Sequence, residues 1–502
     1  MQNKQKFAKL LLMTAILFGA LIRFAAPLNA QGPVNDGGLF MQMTSDLQAN
    51  HFALPRYTSY NQGNIPFAYP PFGFYFTGFI QNITGIPLLV LFTYLPALLS
   101  TLAIIAFYFL ALELTNESLN ASIATLFYAT IPKSFDWFIM GGGIMRALGV
   151  LFSFFALAYV HRLFITRDAR FIFHVSVFSS LLILTHPEVT YHTAFAIPIL
   201  ALFFLRDRRS IFHASIAGVI ILVFTSPWWL IVFQRYGIET FQTVLAAHSR
   251  DLASQFLFRT QFNLGGELLL TLTGVFALIG LIRDIRQQDF FLPVWVAVGG
   301  LVVSITAFIL LAVKGLEVTL KGLGDPAPFE TGFSSKTSRY TLLGISSYLL
   351  MGGIIASSFY GYEFRLLAGE HTAMEWISEN TDPSAKFIVI TGDSSLIDPL
   401  SEWFPVLAKR ISLATVQGHE WTPDQNLSVS VNKYNKLQAC IDQDITCLET
   451  WDYDYIYIRK IKPMREGNVE IRRSSLNIFS HASPEYEIVF ENNEAAIYRP
   501  AP

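Results

Sequence analysis

Asp36 stands in Pro33-Val34-Asn35-Asp36-Gly37-Gly38, just beyond the first long apolar stretch of the chain. A carboxylate there can take a proton from an acceptor hydroxyl or amine, or ligate a metal. Capping a helix that begins at the Gly pair is the alternative reading. Asp136 lies in Phe135-Asp136-Trp137, ahead of Gly141-Gly142-Gly143 and Arg146. The glycine amides and the Arg146 guanidinium could meet an anion, or the segment could be a plain glycine-rich reversal. His186-Pro187-Glu188 and His192 form a third group, in which Glu188 and His192 share a helix face. Together they could hold a divalent metal or orient a phosphate, or simply make a hydrogen-bonded polar turn.

Cations accompany these acids. Arg235, His248, Arg250 and Arg259 fall in one loop, and Lys336, Arg339 and Tyr340 in another. As a set they suit a lipid phosphate, which Arg binds bidentately. Singly, each reads as a solvated charge. Glu402-Trp403-Phe404-Pro405 and Gln417-Gly418-His419-Glu420-Trp421 follow strand or helix units near the C-terminus, where α/β domains place ligands; core aromatics with solvated acids are the alternative.

The elements that must position these residues are membrane helices. The 502-residue chain is 52% hydrophobic and 14% charged, against the roughly 25% charged residues of soluble proteins. A net charge of -2 points away from nucleic acid. Spans of about 20 apolar residues read at 10–27, 88–113, 120–135, 144–164, 171–186, 190–205, 211–233, 264–282, 291–313 and 341–361. A signal peptide is the alternative for the first, but Arg23 lies inside it. Arg162, Arg167, Arg170, Arg206, Arg208, Arg209, Arg283 and Arg286 all fall in loops of one side, which the positive-inside rule makes cytoplasmic. The opposite side then carries loops 28–87, 234–263 and 314–340, with an interfacial helix after Pro70-Pro71.

Residues 1–365 thus form a polytopic α-helical module, and 366–502 an α/β domain with strands near 387–391, 411–416, 453–458, 487–490 and 495–498. Cys440 and Cys447, the chain's cysteines, are spaced for a small disulfide loop, which would favour an oxidising compartment; two free thiols are the alternative. Ten spans from an internal N-terminus place the C-terminal domain inside. An external domain requires an eleventh crossing or a mistaken boundary between 290 and 365.

The arrangement resembles the GT-C superfamily of membrane glycosyltransferases, which includes protein O-mannosyltransferases, aminoarabinose transferases and oligosaccharyltransferase catalytic subunits. The resemblance rests on a first span followed by an acid (Asp36), on Tyr69-Pro70-Pro71-Phe72-Gly73-Phe74-Tyr75, on Lys336-Thr337-Ser338-Arg339-Tyr340 before an apolar helix, and on the run from Ala373-Met374-Glu375-Trp376-Ile377 to Lys409-Arg410. The family's paired acids are here Asn35-Asp36, so one acid carries over. The double-Trp acidic acceptor motif is not matched. The resemblance implies an inverting transfer of a sugar from a polyprenyl-phosphate or polyprenyl-diphosphate donor to a glycan, lipid or protein acceptor, at the outer face of a bacterial plasma membrane. Asp36 would be base or metal ligand, with Asp136, His186 and Glu188 completing an acidic or metal site. Arg146, His192, Arg235, Arg250, Arg259, Lys336, Arg339 and Tyr340 would hold the donor phosphate, and Glu402 and Trp403 the substrate. Some members use Mg²⁺ or Mn²⁺ and others no metal. A secondary transporter or flippase is the competing reading; it predicts internal repeats and midplane charges, whereas the sequence shows no repeat and its suspect acids lie at the outer helix ends.

Overall fold

The computed structural model describes residues 2–30, 32–248, 265–267, 270–333, 335–395, 397–422, 427–440, 445–448, 450–460 and 486–501. A helical bundle occupies the first three quarters of the chain, and the small sheet closes one end of it.

Helix α1 (Gln2–Ala30) sets the reference axis, with Lys4 near one end and Asp36 just past the other. Short amphipathic helices α2 (Gly38–Ala49) and α3 (Phe72–Thr84) follow at the Asp36 end. The chain then traverses the bundle through α4 (Leu88–Thr115), α5 (Ser118–Thr130), α6 (Gly143–Thr166), α7 (Arg170–Ile183), α8 (Pro187–Phe204) and α9 (Arg208–Tyr236). Contacts fix the sense of each pass. Glu117 at the foot of α4 pairs with Lys4, and Glu113 pairs with Arg162 near the foot of α6. At the other end the Leu184 carbonyl accepts from Phe72 N, and Arg235 donates to the carbonyls of Leu54 and Pro55. Helix α10 (Glu239–His248) follows at that end.

Helix α11 (Leu272–Arg286) returns toward the Lys4 end. The apolar run expected as one span over 291–313 is in fact two helices, α12 (Phe291–Val298) and α13 (Leu301–Gly322). Phe291 meets the rings of Phe203 and Phe204 edge-on at the foot of α8, whereas Gly300 lies against His192 near its top. The short α12 therefore climbs, the chain reverses at Gly299-Gly300, and α13 descends. A Cβ on Gly300 would stand 2.2 Å from the His192 carbonyl oxygen, so only glycine permits the reversal at that point. The run thus gives two helices of opposite sense where one was expected, and α14 (Lys336–Glu363) then runs alongside α1 to the Asp36 end. Seven of these helices are individually long and apolar enough to cross a membrane; α5, α7, α11 and α12 are shorter.

The reversal overturns one expectation. Segment 314–340 is not at the Asp36 end. Gly332 packs against the backbone of Lys4, and Phe333 stacks on Phe7. Lys321, Lys336 and Arg339 thus join the arginines of the Lys4 end, as a consistent positive-inside pattern requires.

Beyond α15 (Ala368–Asn380) the chain enters a five-stranded sheet of order β2-β1-β3-β5-β4: β1 (Lys386–Ile390), β2 (Ile411–Ser412), β3 (Tyr455–Arg459), β4 (Tyr486–Glu491) and β5 (Ala495–Pro500). The first three strands are parallel, and β5 runs antiparallel to β3 and to β4. Alternate side chains of β1 face opposite ways, as the strand period demands. Phe387 and Val389 pack with α16 (Pro399–Leu407), and Ile388 and Ile390 with α17 (Leu427–Ala439). Cys440 and Cys447 are joined by a disulfide just after α17.

Candidate active site

Asp36 sits in a backbone fold that glycine makes possible. Asn35 takes the left-handed conformation (φ 55) and Gly37 has φ 122. The turn presses so closely on the Gly141-Gly142 reversal that a Cβ on Gly141 would stand 2.0 Å from the Asp36 carbonyl oxygen. Gly141 N donates to Val34 O at 2.9 Å, and Asn35 N to Phe364 O at 2.8 Å. The Asp36 carboxylate accepts from Gly142 N at 3.0 Å and from Arg146 Nη2 at 2.5 Å. Arg146, one turn into α6, also lies over the Trp137 ring and donates to the Trp137 carbonyl.

Asp36 does not cap α2. That role belongs to Glu402, from the sheet domain. Its Oε1 accepts from Gly37 N at 3.3 Å and Leu39 N at 3.1 Å, satisfying amide donors that a helix start leaves unpaired. Burial, then the charge of Asp36, push the Glu402 carboxyl up to about 8; the two amides and Glu420 are smaller influences, downward and upward respectively.

Tyr69, from the Pro-Pro segment, is the group at which the charges converge. Its buried phenol feels Arg146, Glu420, Glu188 and Asp36, and its ring meets those of His186 and Trp421 edge-on. Burial holds this phenol well above its usual value, so it is neutral and a hydrogen-bond donor. Glu188 occupies the first turn of α8. His186 caps that helix, its Nδ1 accepting from Val189 N at 3.3 Å. In direct contact are Asp36 with Arg146, Tyr69 with His186 and Trp421, and, from the sheet domain, Glu402 and Trp403 with the backbone on either side of Asp36.

The remaining candidates lie elsewhere. Asp136 is 4% exposed and pairs with Lys133 at 2.7 Å, with Trp137 N as a further donor. Its carboxylate is spent on the reversal that carries Gly141. His192 is buried a turn below Glu188, beside Gly300. Arg235 is bound to first-loop carbonyls. Arg250 and Arg259 fall outside the described residues. Lys336, Arg339 and Tyr340 are at the opposite end of the bundle; Arg339 donates to Phe333 O at 2.8 Å, and Tyr340 is 71% exposed. Among the described residues no three His, Cys, Asp or Glu side chains gather as metal ligands. With Asp36 paired to Arg146 and Asp136 to Lys133, the residues Asp36, Asp136, His186 and Glu188 do not fit a common divalent cation.

The sequence had flagged the Tyr69 motif and the Glu420 segment but given neither residue a site role. Tyr60 was missed; its hydroxyl donates to Glu402 O at 2.7 Å. The only local signal for these residues was polar groups among aromatics.

Residues 68–315, just under half the chain, match a family described as 6-pyruvoyl-tetrahydropterin synthase related domain, membrane protein. That stretch runs from the residue before Tyr69 into α13. No curated protein matches the sequence. Solved structures do. The Archaeoglobus fulgidus oligosaccharyltransferase AglB, in complex with an inhibitory peptide and a dolichol-phosphate, is 15% identical; the match covers 90% of this chain and 70% of that one, with TM-score 0.57. ArnT from Cupriavidus metallidurans, bound to undecaprenyl phosphate, is 13% identical over 97% of both chains, with TM-score 0.57. The mycobacterial arabinofuranosyltransferase AftD is 14% identical, over 98% of this chain and 40% of that one, with TM-score 0.50. The helical bundle with its capping α/β domain thus shares its fold with the AglB and ArnT structures.

Proposed function

We propose that the chain is a membrane glycosyltransferase that moves a sugar from a polyprenyl-phosphate or polyprenyl-diphosphate donor to a glycan, lipid or protein acceptor. The observation that carries this is the Asp36–Arg146 pair, set in a glycine-lined turn. Support comes from the shared fold with AglB and ArnT, whose structures hold dolichol-phosphate and undecaprenyl phosphate.

In this reading the donor phosphate competes with Asp36 for the Arg146 guanidinium. Losing that partner leaves the Asp36 carboxylate free to act as a base. Asp36 takes the acceptor's O–H or N–H proton as that atom attacks the anomeric carbon. The bond from the anomeric carbon to the phosphate oxygen breaks, and its electron pair leaves with the lipid phosphate, whose charge Arg146 balances. Attack opposite the leaving group inverts the anomeric centre. No step uses a metal. The reaction would take place at the Asp36 end, the outer face of a bacterial plasma membrane.

The test is transfer from labelled polyprenyl-phosphate sugars by purified protein. Activity that survives Asp36→Ala undiminished removes Asp36 as base. Accumulation of the sugar lipid inside vesicles, with no bond formed, would instead favour a flippase.

A further inference from the structure

The carboxyl ends of β1 and β3 are the topological switch point of the sheet domain. The β1–α16–β2 connection leaves to one side of β1, and the β2–α17–β3 connection crosses to the other. Open α/β sheets place ligands in the crevice at such a point. Here the crevice is filled by the chain's own polar side chains. Arg459, at the end of β3, pairs with Glu370 and with Asp393, the latter at 2.7 Å. Asp398 accepts from the hydroxyls of Thr391 and Tyr434, each at 2.6 Å, and caps α16 through Ser401 N at 3.1 Å. This cap fixes the start of α16.

What that fixed helix end touches is the Asp36 turn. Trp403 Nε1 donates to Asn35 O at 2.8 Å, on one side of Asp36. Glu402 Oε1 accepts from Gly37 N and Leu39 N on the other. The Glu402 carbonyl lies so near Gly38 that a Cβ there would come within 2.4 Å of it, and the Trp403 ring abuts Gly141. Glu402 is 3% exposed, and among the described residues its Oε2 has no hydrogen-bond partner. An apolar side chain here would leave the Gly37 and Leu39 amides unpaired, so the position is set by those hydrogen bonds and not by packing alone.

We propose that Glu402 and Trp403 are positioning residues: docked from the sheet domain, they clamp the peptide groups on both sides of Asp36 and hold its carboxylate toward Arg146. This rests on the transferase reading for its catalytic consequence, but the clamp itself is a structural claim that can be measured without turnover. The sheet domain is then part of the active centre through its contact with the catalytic turn, and neither side chain needs to touch substrate.

The experiment uses the full-length protein in lipid nanodiscs, as wild type and as Glu402→Ala, Glu402→Gln and Trp403→Phe. Gln keeps an oxygen for the Gly37 and Leu39 amides; Phe keeps a ring but loses the donor to Asn35. Amide exchange over residues 34–41 is read first, then kcat and donor KM with a labelled polyprenyl-phosphate sugar. Glu402→Ala and Trp403→Phe are expected to speed exchange of the segment about tenfold or more. They should lower kcat by about tenfold or more while changing donor KM by less than about threefold. Glu402→Gln should recover most of both effects. Unchanged exchange in Glu402→Ala and Trp403→Phe would overturn the clamp, as would a rise in KM at constant kcat, which marks a substrate contact. Glu402→Gln as damaging as Glu402→Ala would also overturn it. If wild type transfers no sugar, the transferase reading fails, and the exchange data still decide the clamp. If Glu402→Ala does not fold, the paired comparison of Trp403→Phe and Glu402→Gln carries the test.

Discussion

Arg146 Nη2 lies 2.5 Å from Asp36 Oδ2, and both side chains are about four-fifths shielded from solvent. An acid that could serve as base is thus held by a cation from the first turn of α6. The pair spans 110 positions in sequence. It brings the turn after α1 and the start of α6 into direct contact.

Removing the acid tests that contact. Asp36→Asn keeps an acceptor for Gly142 N but neither the charge nor the basicity. Transfer should fall by about 10²- to 10⁴-fold, the usual range for a lost general base. Thermal unfolding should also shift downward, because the pair is mostly shielded and the Arg146 charge loses its partner; breaking a fully buried pair costs about 3–5 kcal/mol, and this one somewhat less. Single-turnover assay alongside calorimetry checks both halves.

Arg146 carries a different signature. Arg146→Lys keeps the charge, but loses the flat guanidinium that lies over Trp137 and forks toward oxygens. Donor affinity should weaken by about tenfold and in Arg146→Ala by about a hundredfold, in line with 1.5–3 kcal/mol for hydrogen bonds to charged groups. Titration with undecaprenyl phosphate, followed by intrinsic fluorescence, measures it.

Lys336 and Arg339 make the opposite prediction. Both are at the Lys4 end, a helix length of about 35 Å from Asp36. Lys336→Ala and Arg339→Ala should each change donor affinity by less than about twofold, within the ±0.5 kcal/mol typical of surface changes. A loss comparable to Arg146→Ala would place the donor phosphate at the wrong end of this bundle.

Gly141→Ala and Gly300→Ala should both be damaging, for steric reasons. The added methyl would meet the Asp36 carbonyl at 2.0 Å and the His192 carbonyl at 2.2 Å respectively. Backbone on both sides leaves no flexible group to yield, so a loss of about 1–3 kcal/mol or more is expected. Gly344→Ala, which meets nothing within 4 Å, is the control. Thermal unfolding of the three variants in one detergent compares them.

Glu402 gives the clamp a pH dependence. Its carboxyl is raised from 4.5 to about 8 when docked, mainly by burial and then by Asp36. Well below pH 4.5 both docked and undocked states are protonated, and docking is undiminished. Between 4.5 and about 8 only the docked state keeps the proton, so docking weakens as pH rises through that window. Exchange of residues 34–41, corrected for its intrinsic base catalysis, should be faster at about pH 9 than at about pH 6, and Glu402→Gln should remove the difference.

The sequence by itself determined the helices. Long apolar runs have few folded solutions in a bilayer, so nine of the ten expected spans appear close to where composition put them. It also gave the terminal β4–β5 pair and flagged Asp36 and Arg146, because charge beside apolar sequence is costly and therefore legible. It could not show the reversal at Gly299-Gly300. A break in a continuous apolar run is decided by the neighbour that approaches it, here the backbone of His192. That single turn moved Lys336, Arg339 and Tyr340 to the far end of the bundle. Nor could it say whether Asp36 caps the helix that follows it. Tertiary structure decided that, by supplying the cap from Glu402, more than 360 residues further along the chain.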